Sequence, residues 1–272
     1  MITRMEDGME AEEVKICPEC GEATEMLIDF PLFDGSGRTE KKKVNRMCLC
    51  RRKQREAEDL RREREEILRR IESLKKLSLI DDKLKDVTFS TYRVSDENKK
   101  LFKTAQRYVE RFDEMFEKNQ GLLLYGDVGT GKSYTAAAIA NELINRLHPV
   151  IMTSFVKLLS DTFGMDVDTS EYLNRLNMAQ LLIIDDLGAE RGTDYALERV
   201  YDIVDSRYRC NKPVIITTNL TMEQMRECRD IRYTRIYDRL FEMCYPIIVK
   251  GQSWRKKDAA ARYRDMKKLL EG

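Results

Sequence analysis

The residues from 126 to 134 have the types and the spacing of a phosphate-binding loop. Gly126, Gly131, Lys132 and Ser133 satisfy the pattern G-x-x-x-x-G-K-[ST]. The glycines let the backbone N–H groups point at phosphate oxygens, and the helix that follows adds the positive end of its dipole. Lys132 would reach the β- and γ-phosphates, and the Ser133 hydroxyl would bind Mg²⁺. The sequence therefore predicts a nucleotide site formed by Gly126, Asp127, Val128, Gly129, Thr130, Gly131, Lys132, Ser133 and Tyr134.

Two acidic residues follow a second apolar run. Residues 181–184 are Leu, Leu, Ile and Ile, and Asp185 and Asp186 come directly after them. A buried strand here would bring Asp185 to the magnesium shell and place Asp186 where it polarises an attacking water as a general base. The other interpretation is a strand that merely ends in an Asp turn. Asn219, at the end of a later apolar run, would orient the water or touch the γ-phosphate, unless it only forms a turn.

Four of the seven cysteines fall in two close pairs near the N-terminus. Cys17 and Cys20 form a C-x-x-C knuckle followed by Gly21, and Cys48 and Cys50 form a C-x-C pair. Two chelating pairs supply the four thiolates of a tetrahedral Zn²⁺ site, which is structural because no coordination position stays open. The segment between the pairs has few apolar residues and a predicted turn at residues 34–37, and it would hardly fold without the metal. A redox dithiol and incidental cysteines are the alternatives.

Length and composition limit the class of protein. With 272 residues and 42% hydrophobic residues, the chain can bury a sizeable core in one large domain or two smaller ones. Charged residues make up 36% of the chain but the net charge is only +1, so any nucleic-acid contact must come from local patches. Neither a signal peptide nor an apolar run of membrane-spanning length is visible. We therefore expect a cytoplasmic protein whose cysteines are thiols or metal ligands.

Strands alternate with helices from about residue 84 onward. Apolar strands are predicted at residues 122–125, 149–153, 181–184, 213–218 and 245–250. This alternation predicts an α/β fold with a parallel sheet between layers of helices. Ligands of such sheets bind at the carboxyl ends of the strands, where the phosphate loop, Asp185 and Asn219 fall. We expect three parts: a zinc-binding module at 1–50, a charged helical linker at 51–83 and a nucleotide-binding domain at 84–272.

Residues 51–76 are dense in Arg, Lys and Glu and predict one long helix. Leu60, Ile67, Ile71 and Leu74 recur at helical spacing and form a thin apolar seam. One interpretation is a solvated linker helix with intrahelical ion pairs. The other is an arm that docks a partner or forms a coiled coil.

These elements together resemble the AAA+ ATPases, and within them the bacterial and phage helicase loaders of the DnaC/DnaI type, with the IstB-like transposition helper ATPases as near relatives. The resemblance rests on the phosphate loop and on residues 182–188 (LIIDDLG), 216–220 (ITTNL), 235–240 (RIYDRL) and 251–255 (GQSWR), in the family's order. It implies a P-loop AAA+ three-layer core without a full helical lid, with ATP and Mg²⁺ as ligands and slow, switch-like ATP hydrolysis. The cysteine pairs are similar to the metal-binding module that several such loaders carry.

The resemblance also implies roles for single residues. Asn219 falls on the sensor 1 position, and Arg255 falls on the sensor 2 position, which contacts nucleotide within its own subunit. Arg235 matches the arginine that reaches into the ATP site of a neighbouring subunit and neutralises charge on the γ-phosphate. Arg239 is its substitute, and a solvated basic face is the alternative for both. Asp186 stands where many AAA+ proteins have Glu.

A loader of this type implies three kinds of partner: a DnaB-type replicative helicase bound through the N-terminal module, single-stranded DNA, and further copies of itself bound through the AAA+ domain, with no membrane. DNA contacts are expected between the second and third strands, at Phe155, Lys157, Phe163, Tyr172 and Arg175, by stacking and phosphate neutralisation. Core packing or ordinary surface is the alternative for each. Rival functions are a transposition helper ATPase and a nucleotide-binding adaptor with negligible hydrolysis. A defence ATPase would need an effector domain, and none is visible.

Overall fold

The computed structural model describes residues 15–32, 37–75, 78, 83–162, 169–188 and 194–271. The chain divides into two units, residues 1–66 and residues 67–272. The division into a module, a linker and a nucleotide-binding domain stays a prediction. Within the described ranges, no helix is both long and apolar enough to cross a membrane.

The first unit contains a two-stranded antiparallel hairpin followed by a helix. Strand β1 (Glu25–Pro31) pairs with β2 (Thr39–Asn45) over their whole length. The sequence had predicted only a turn near residues 34–37, of which 34–36 lie outside the described residues. The hairpin escaped prediction because β2 contains three successive lysines and lacks the apolar alternation that marks a half-buried strand. Both strands are largely exposed.

Helix α1 (Leu49–Lys75) corresponds to the charged helix predicted at residues 51–76. Its beginning is fixed by Glu22, whose carboxylate accepts the backbone N–H of Leu49 at 2.5 Å and pairs with Arg46 at 3.2 Å. A carboxylate suits this position because the first N–H groups of a helix lack intrahelical acceptors. The predicted apolar seam is not uniform. Leu60 is 68% exposed, whereas Leu74, at the other end of the seam, is buried in the core of the second unit.

The second unit is an α/β domain, as the sequence predicted. In chain order its elements are α2 (Lys99–Glu110), α3 (Phe112–Glu117), β3 (Gly121–Tyr125), α4 (Lys132–Asn145), β4 (Val150–Ser154), α5 (Phe155–Thr162), α6 (Thr169–Asn177), β5 (Leu181–Leu187), α7 (Asp194–Arg209), β6 (Val214–Thr218), α8 (Met222–Arg226), α9 (Ile231–Met243), β7 (Cys244–Ile248) and α10 (Trp254–Glu271). The strands form a parallel sheet in the order β4-β5-β6-β3-β7. The predicted fold class is confirmed.

Both faces of this sheet are covered, which explains why its strands are continuous apolar runs. Alternate residues of a strand point to opposite faces, so Leu123 packs in one core cluster with α5, α6, α7 and α9. Leu122 and Leu124 pack in the other cluster, against α2 and α4. The carboxyl ends of β3, β5 and β6 consequently meet at one edge of the sheet.

Helix α10 follows β7 and is attached at its first turn. The backbone N–H of Trp254 donates to the carbonyl oxygen of Gly129 in the phosphate loop at 2.9 Å. Among the residues from Arg255 to Glu271 whose burial is described, all are exposed. The helix therefore begins at the phosphate loop, and its later described residues are accessible to solvent.

Candidate nucleotide-binding site and cysteine cluster

The phosphate loop links β3 to α4 and requires glycine at two close approaches. Gly126 has φ +132°, and a Cβ on it would lie 2.6 Å from the carbonyl oxygen of Val249. Gly129 has φ +82°, and a Cβ on it would lie 2.2 Å from the Ser253 hydroxyl. Both values of φ belong to the left-handed half of conformational space, which glycine adopts without steric cost. The loop thus packs directly against the segment that follows β7.

Lys132 is held inside the loop. Its ammonium donates to the carbonyl oxygens of Gly126 and Asp127, each at 2.7 Å, and only 6% of the residue is exposed. Thr130 donates to the same Asp127 carbonyl at 2.8 Å and stiffens the turn. Burial lowers the pKa of Lys132, while the nearby carboxylates, Asp186 foremost, act to raise it. A positive charge is thereby placed at the base of the loop, where phosphate oxygens would bind.

The two acidic residues of β5 occupy a β-bulge. Ile184 pairs with Ile216 and Leu187 pairs with Thr218, so Asp185 and Asp186 together stand opposite the single residue Thr217 of β6. In a regular strand, consecutive side chains point to opposite faces. Here Asp186 has φ +62°, and both carboxylates line the same cavity.

Three hydrogen bonds that involve two polar side chains of β6 and its end, Thr217 and Asn219, stabilise the bulge. The Thr217 hydroxyl donates to Asp185 Oδ1 at 2.5 Å and accepts the backbone N–H of Asp186 at 2.9 Å. Asn219 Nδ2 donates to Asp186 Oδ1 at 2.8 Å. The amide predicted to orient water is therefore in direct contact with the carboxylate predicted to act as the base.

A cavity of about 510 Å³ brings most of the predicted site residues together. Its volume is within the range of about 300–1,000 Å³ that small-molecule sites occupy. Of the predicted residues it is lined by Val128, Gly129, Gly131, Lys132, Ser133, Tyr134, Asp185, Asp186, Asn219 and Arg255. Gly126, Asp127 and Thr130 belong to the loop behind this lining. Arg235 does not line the cavity.

Sequence reasoning missed one wall of the cavity. Lys83, Leu84, Tyr92, Arg93, Asn98, Thr217, Trp254 and Asp258 also line it. No motif marks the residues before β3, but Asn141 of α4 holds their segment by donating to the carbonyl oxygen of Leu84 at 3.0 Å. The rings of Tyr92 and Tyr134 meet edge to face at 5.3 Å, and Tyr92 bonds to the Thr135 hydroxyl at 2.7 Å. The wall offers aromatic surface beside the phosphate loop.

The arginines of α9 differ in how they are engaged. Arg232 pairs with Asp230 at 2.7 Å and with Asp194. Arg239 pairs with Asp205 at 2.5 Å. The Arg235 side chain is exposed and makes no hydrogen bond or ion pair within the ranges that the structure describes. Of the three, Arg235 is the one whose guanidinium can reach another molecule without breaking a contact of its own domain.

The four predicted zinc ligands lie together in the first unit. The sulfur atoms of Cys17, Cys20, Cys48 and Cys50 are all within 4.8 Å of one another, with Cys17 and Cys50 at 3.5 Å. Tetrahedral zinc with Zn–S bonds of about 2.3 Å needs sulfur atoms about 3.8 Å apart. Hydrogen bonds from the backbone N–H groups at residues 20 and 19 lower the pKa of Cys17 to about 6, whereas hydrogen bonding with the thiols of Cys48 and Cys17 raises the pKa of Cys50. The donor set and spacing fit Zn²⁺.

The predicted DNA-contacting residues divide into two groups. Phe155 and Tyr172 are buried in the core beside α7, so the prediction that they stack on bases is wrong and the core alternative is confirmed. Lys157 is half-buried and Arg175 is exposed. Phe163 lies outside the described residues. No aromatic platform for single-stranded DNA is formed by these five positions within the described ranges.

Comparison with known proteins identifies a matching protein family and several similar proteins. The family model described as "IstB-like ATP binding protein" matches residues 56–261. The phage-like element PBSX protein XkdC of Bacillus subtilis (strain 168) is 30% identical over 68% of this chain and 73% of its own length. The replicative helicase loader DnaI of the same strain is 27% identical over 68% of this chain and 63% of its length.

The replicative helicase loader DnaC of Escherichia coli (strain K12) is 34% identical over 51% of this chain. The chain spans 63% and 57% of the lengths of these two loaders. The solved structure of a DnaI protein superposes with a TM-score of 0.55 at 28% identity, covering 64% of this chain and 96% of that one.

Proposed function

The chain belongs to the family of IstB-like ATP-binding proteins, and we propose that it is an ATPase that loads a replicative ring helicase onto single-stranded DNA. The observation that carries the proposal is the single cavity in which Lys132, the Asp185–Asp186 pair and Asn219 converge. The relatives named replicative helicase loaders support this function over other uses of the same ATP site. ATP binding would favour assembly, and hydrolysis would favour release.

We propose one role for each residue of the site. Lys132 neutralises the β- and γ-phosphates, and Ser133 and Asp185 would hold Mg²⁺, which supplies charge neutralisation when bound. Asp186 accepts a proton from the attacking water, and Asn219 fixes the orientation of that water through its contact with the Asp186 carboxylate. Arg255 of α10 contacts the nucleotide from within the same subunit.

Arg235 would act on the site of a neighbouring copy. It lies outside its own cavity and is exposed on α9, which suits contact across an interface. A donor supplied by the neighbour makes hydrolysis depend on assembly, as a switch requires. We therefore propose self-assembly through the AAA+ domain.

The cysteine cluster would hold one structural Zn²⁺ in the N-terminal module. The hairpin of β1 and β2 buries little apolar surface, so metal binding would supply folding free energy there. We propose that this module binds a DnaB-type helicase in the cytoplasm, while the ATPase domain engages single-stranded DNA.

Native mass spectrometry of the full chain mixed with the replicative helicase of its host, ATP and single-stranded DNA tests the proposal. We expect a defined complex that contains both proteins and one zinc per copy of this chain. Lys132→Ala should abolish the nucleotide-dependent complex, whereas Lys118→Ala should not, because Lys118 is exposed and precedes β3, at the opposite end of that strand from the loop. Self-assembly with ATP on DNA without any helicase complex would refute the loader function and favour a transposition helper.

A further inference from the structure

We propose that Thr217 is the positioning residue of the acidic pair: its single hydroxyl aims Asp185 at the magnesium position and holds Asp186 in the bulge. This inference rests on the proposed ATPase function. Thr217 lies in the middle of the apolar strand β6, and only 1% of it is exposed. It received no role from the sequence.

The direction of both hydrogen bonds is fixed by chemistry. A threonine hydroxyl has one proton to donate and two lone pairs to accept with. The backbone N–H of Asp186 can only donate, so at 2.9 Å it must be accepted by the Thr217 oxygen. The hydroxyl proton is then directed to Asp185 Oδ1, 2.5 Å away. Oδ1 thus carries one protein hydrogen bond, whereas no donor in the described part of the chain bonds to the other carboxylate oxygen, which is therefore free to face a cation.

The Thr217 hydroxyl also provides an acceptor for a backbone N–H of the bulge, that of Asp186. Two residues of β5 stand opposite one residue of β6, which disrupts the backbone ladder at this point. The left-handed φ of Asp186 is sterically unfavourable for a residue that has a Cβ. A strained conformation persists only where the surroundings determine it. Thr217 holds the backbone of Asp186, and Asn219 holds its carboxylate at 2.8 Å.

The neighbouring threonine shows what a purely structural hydroxyl does on this strand. Thr218 is fully buried, donates to the carbonyl oxygen of Leu187 at 2.7 Å and accepts the backbone N–H of Leu220 at 3.1 Å. It therefore makes the same number of hydrogen bonds as Thr217 but contacts neither carboxylate. Thr218→Val is the matched control for Thr217→Val, because both changes remove one buried hydroxyl from adjacent positions.

The experiment measures the affinity of the full chain for a fluorescent ATP analogue as a function of Mg²⁺ concentration, together with ATP turnover. Residues that orient metal ligands typically contribute 10- to 100-fold to metal affinity or activity. We expect Thr217→Val to raise about 10-fold the Mg²⁺ concentration at which the gain in affinity for the ATP analogue is half-maximal. The same change should lower ATP turnover about 10- to 100-fold. Affinity without Mg²⁺ should change much less, since both hydrogen bonds of the Thr217 hydroxyl go to the acidic pair. Thr217→Ser should restore both quantities.

Each outcome has a definite meaning. Equal Mg²⁺ requirements for Thr217→Val and Thr218→Val would overturn the positioning role while leaving the ATPase function intact. A Mg²⁺ requirement of Thr217→Ser shifted as far as that of Thr217→Val would also overturn it, because the hydroxyl would then not be the cause. Thr217→Ala replaces the valine variant if the latter does not fold. If the unaltered protein shows no Mg²⁺-dependent nucleotide binding, the proposed function itself fails, and this inference fails with it.

Discussion

Arg235 and Arg239 lie one helical turn apart on α9, and their substitution should affect different properties. We expect Arg235→Ala to lower ATP hydrolysis and Arg239→Ala to lower stability. Arg235 is exposed and has no partner within the described ranges, whereas Arg239 pairs with Asp205. Arg235→Ala should therefore leave stability within about 0.5 kcal/mol of the unaltered protein. If Arg235 enters the neighbouring site, the same change should lower ATP hydrolysis about 10³-fold or more.

The effect of Arg239→Ala follows from its contacts. Its guanidinium donates to the Tyr201 hydroxyl at 3.0 Å, lies 4.7 Å from that ring's centre, and pairs with Asp205, whose side chain is 13% exposed. A hydrogen bond to a charged group contributes about 1.5–3 kcal/mol, and a partly desolvated cation–π contact about 1 kcal/mol. Asp205 also pairs with Arg209 at 2.8 Å, so the charge of Asp205 would stay paired in the Arg239→Ala variant. We expect a loss of about 3 kcal/mol, or a Tm lower by roughly 6–12 °C for a domain of this size.

Mixing two inactive variants tests whether Arg235 acts across an interface. Lys132→Ala keeps Arg235 but lacks the loop lysine, and Arg235→Ala keeps the loop. In a mixed head-to-tail assembly, about a quarter of the interfaces would combine an intact loop with an intact arginine. Partial recovery of ATP hydrolysis on mixing is the expected result, with thermal melts confirming that both variants fold.

Two results would refute this reasoning. Full activity of Arg235→Ala combined with loss of activity in a well-folded Arg239→Ala would transfer the role to Arg239. Absence of recovery in the mixture, with assembly verified by native mass spectrometry, would mean that Arg235 does not act in a neighbouring subunit.

Three further changes have defined outcomes. Gly126→Ala should abolish ATP-analogue binding, because its Cβ would collide with the Val249 backbone at 2.6 Å, and calorimetry measures the loss. Zinc chelation, or Cys20→Ser, should remove the antiparallel-strand signal of the first unit in circular dichroism while nucleotide affinity stays within about threefold. Arg207→Met should lower the free energy of unfolding by about 2–4 kcal/mol in urea titrations, since this fully buried guanidinium donates to the carbonyl oxygens of Ala179, Gln180 and Pro213 at 2.8–2.9 Å.

The central sheet could be predicted because its strands carry a strong local signal. Buried parallel strands are short apolar runs, and three of the five are marked here by a glycine loop, an acidic pair or an asparagine at their carboxyl ends. The hairpin of the first unit lacks such a signal, since both strands are largely exposed and β2 contains three successive lysines. Phe155 was predicted wrongly for a different reason, because its local sequence allows two roles. An aromatic residue beside a lysine is compatible with stacking or core packing, and only the packing of α5 decides between them.

The detailed chemistry of the site depends on register, which the sequence does not encode locally. Thr217 is 31 residues from Asp186 in the chain and meets it only because β5 pairs with β6 with one extra residue. The wall formed by Tyr92 and its neighbours likewise reaches the cavity through side-chain contacts with α4. Motif reading therefore found the phosphate loop, the acidic pair and Asn219, and missed Thr217 and the wall that contains Tyr92.

The attachment of α10 to the phosphate loop has a mechanical consequence. A helix of 18 residues is about 27 Å long and behaves as a stiff rod. Its first turn is bonded to Gly129, Asp258 of the next turn pairs with Arg93 at 3.7 Å, and the later residues whose burial is described are exposed. A rotation of only about 10° at that attachment would carry the far end through about 5 Å, given the length of the rod. A small rearrangement of the phosphate loop at this attachment would therefore move the far end of α10 by about the pitch of one helical turn.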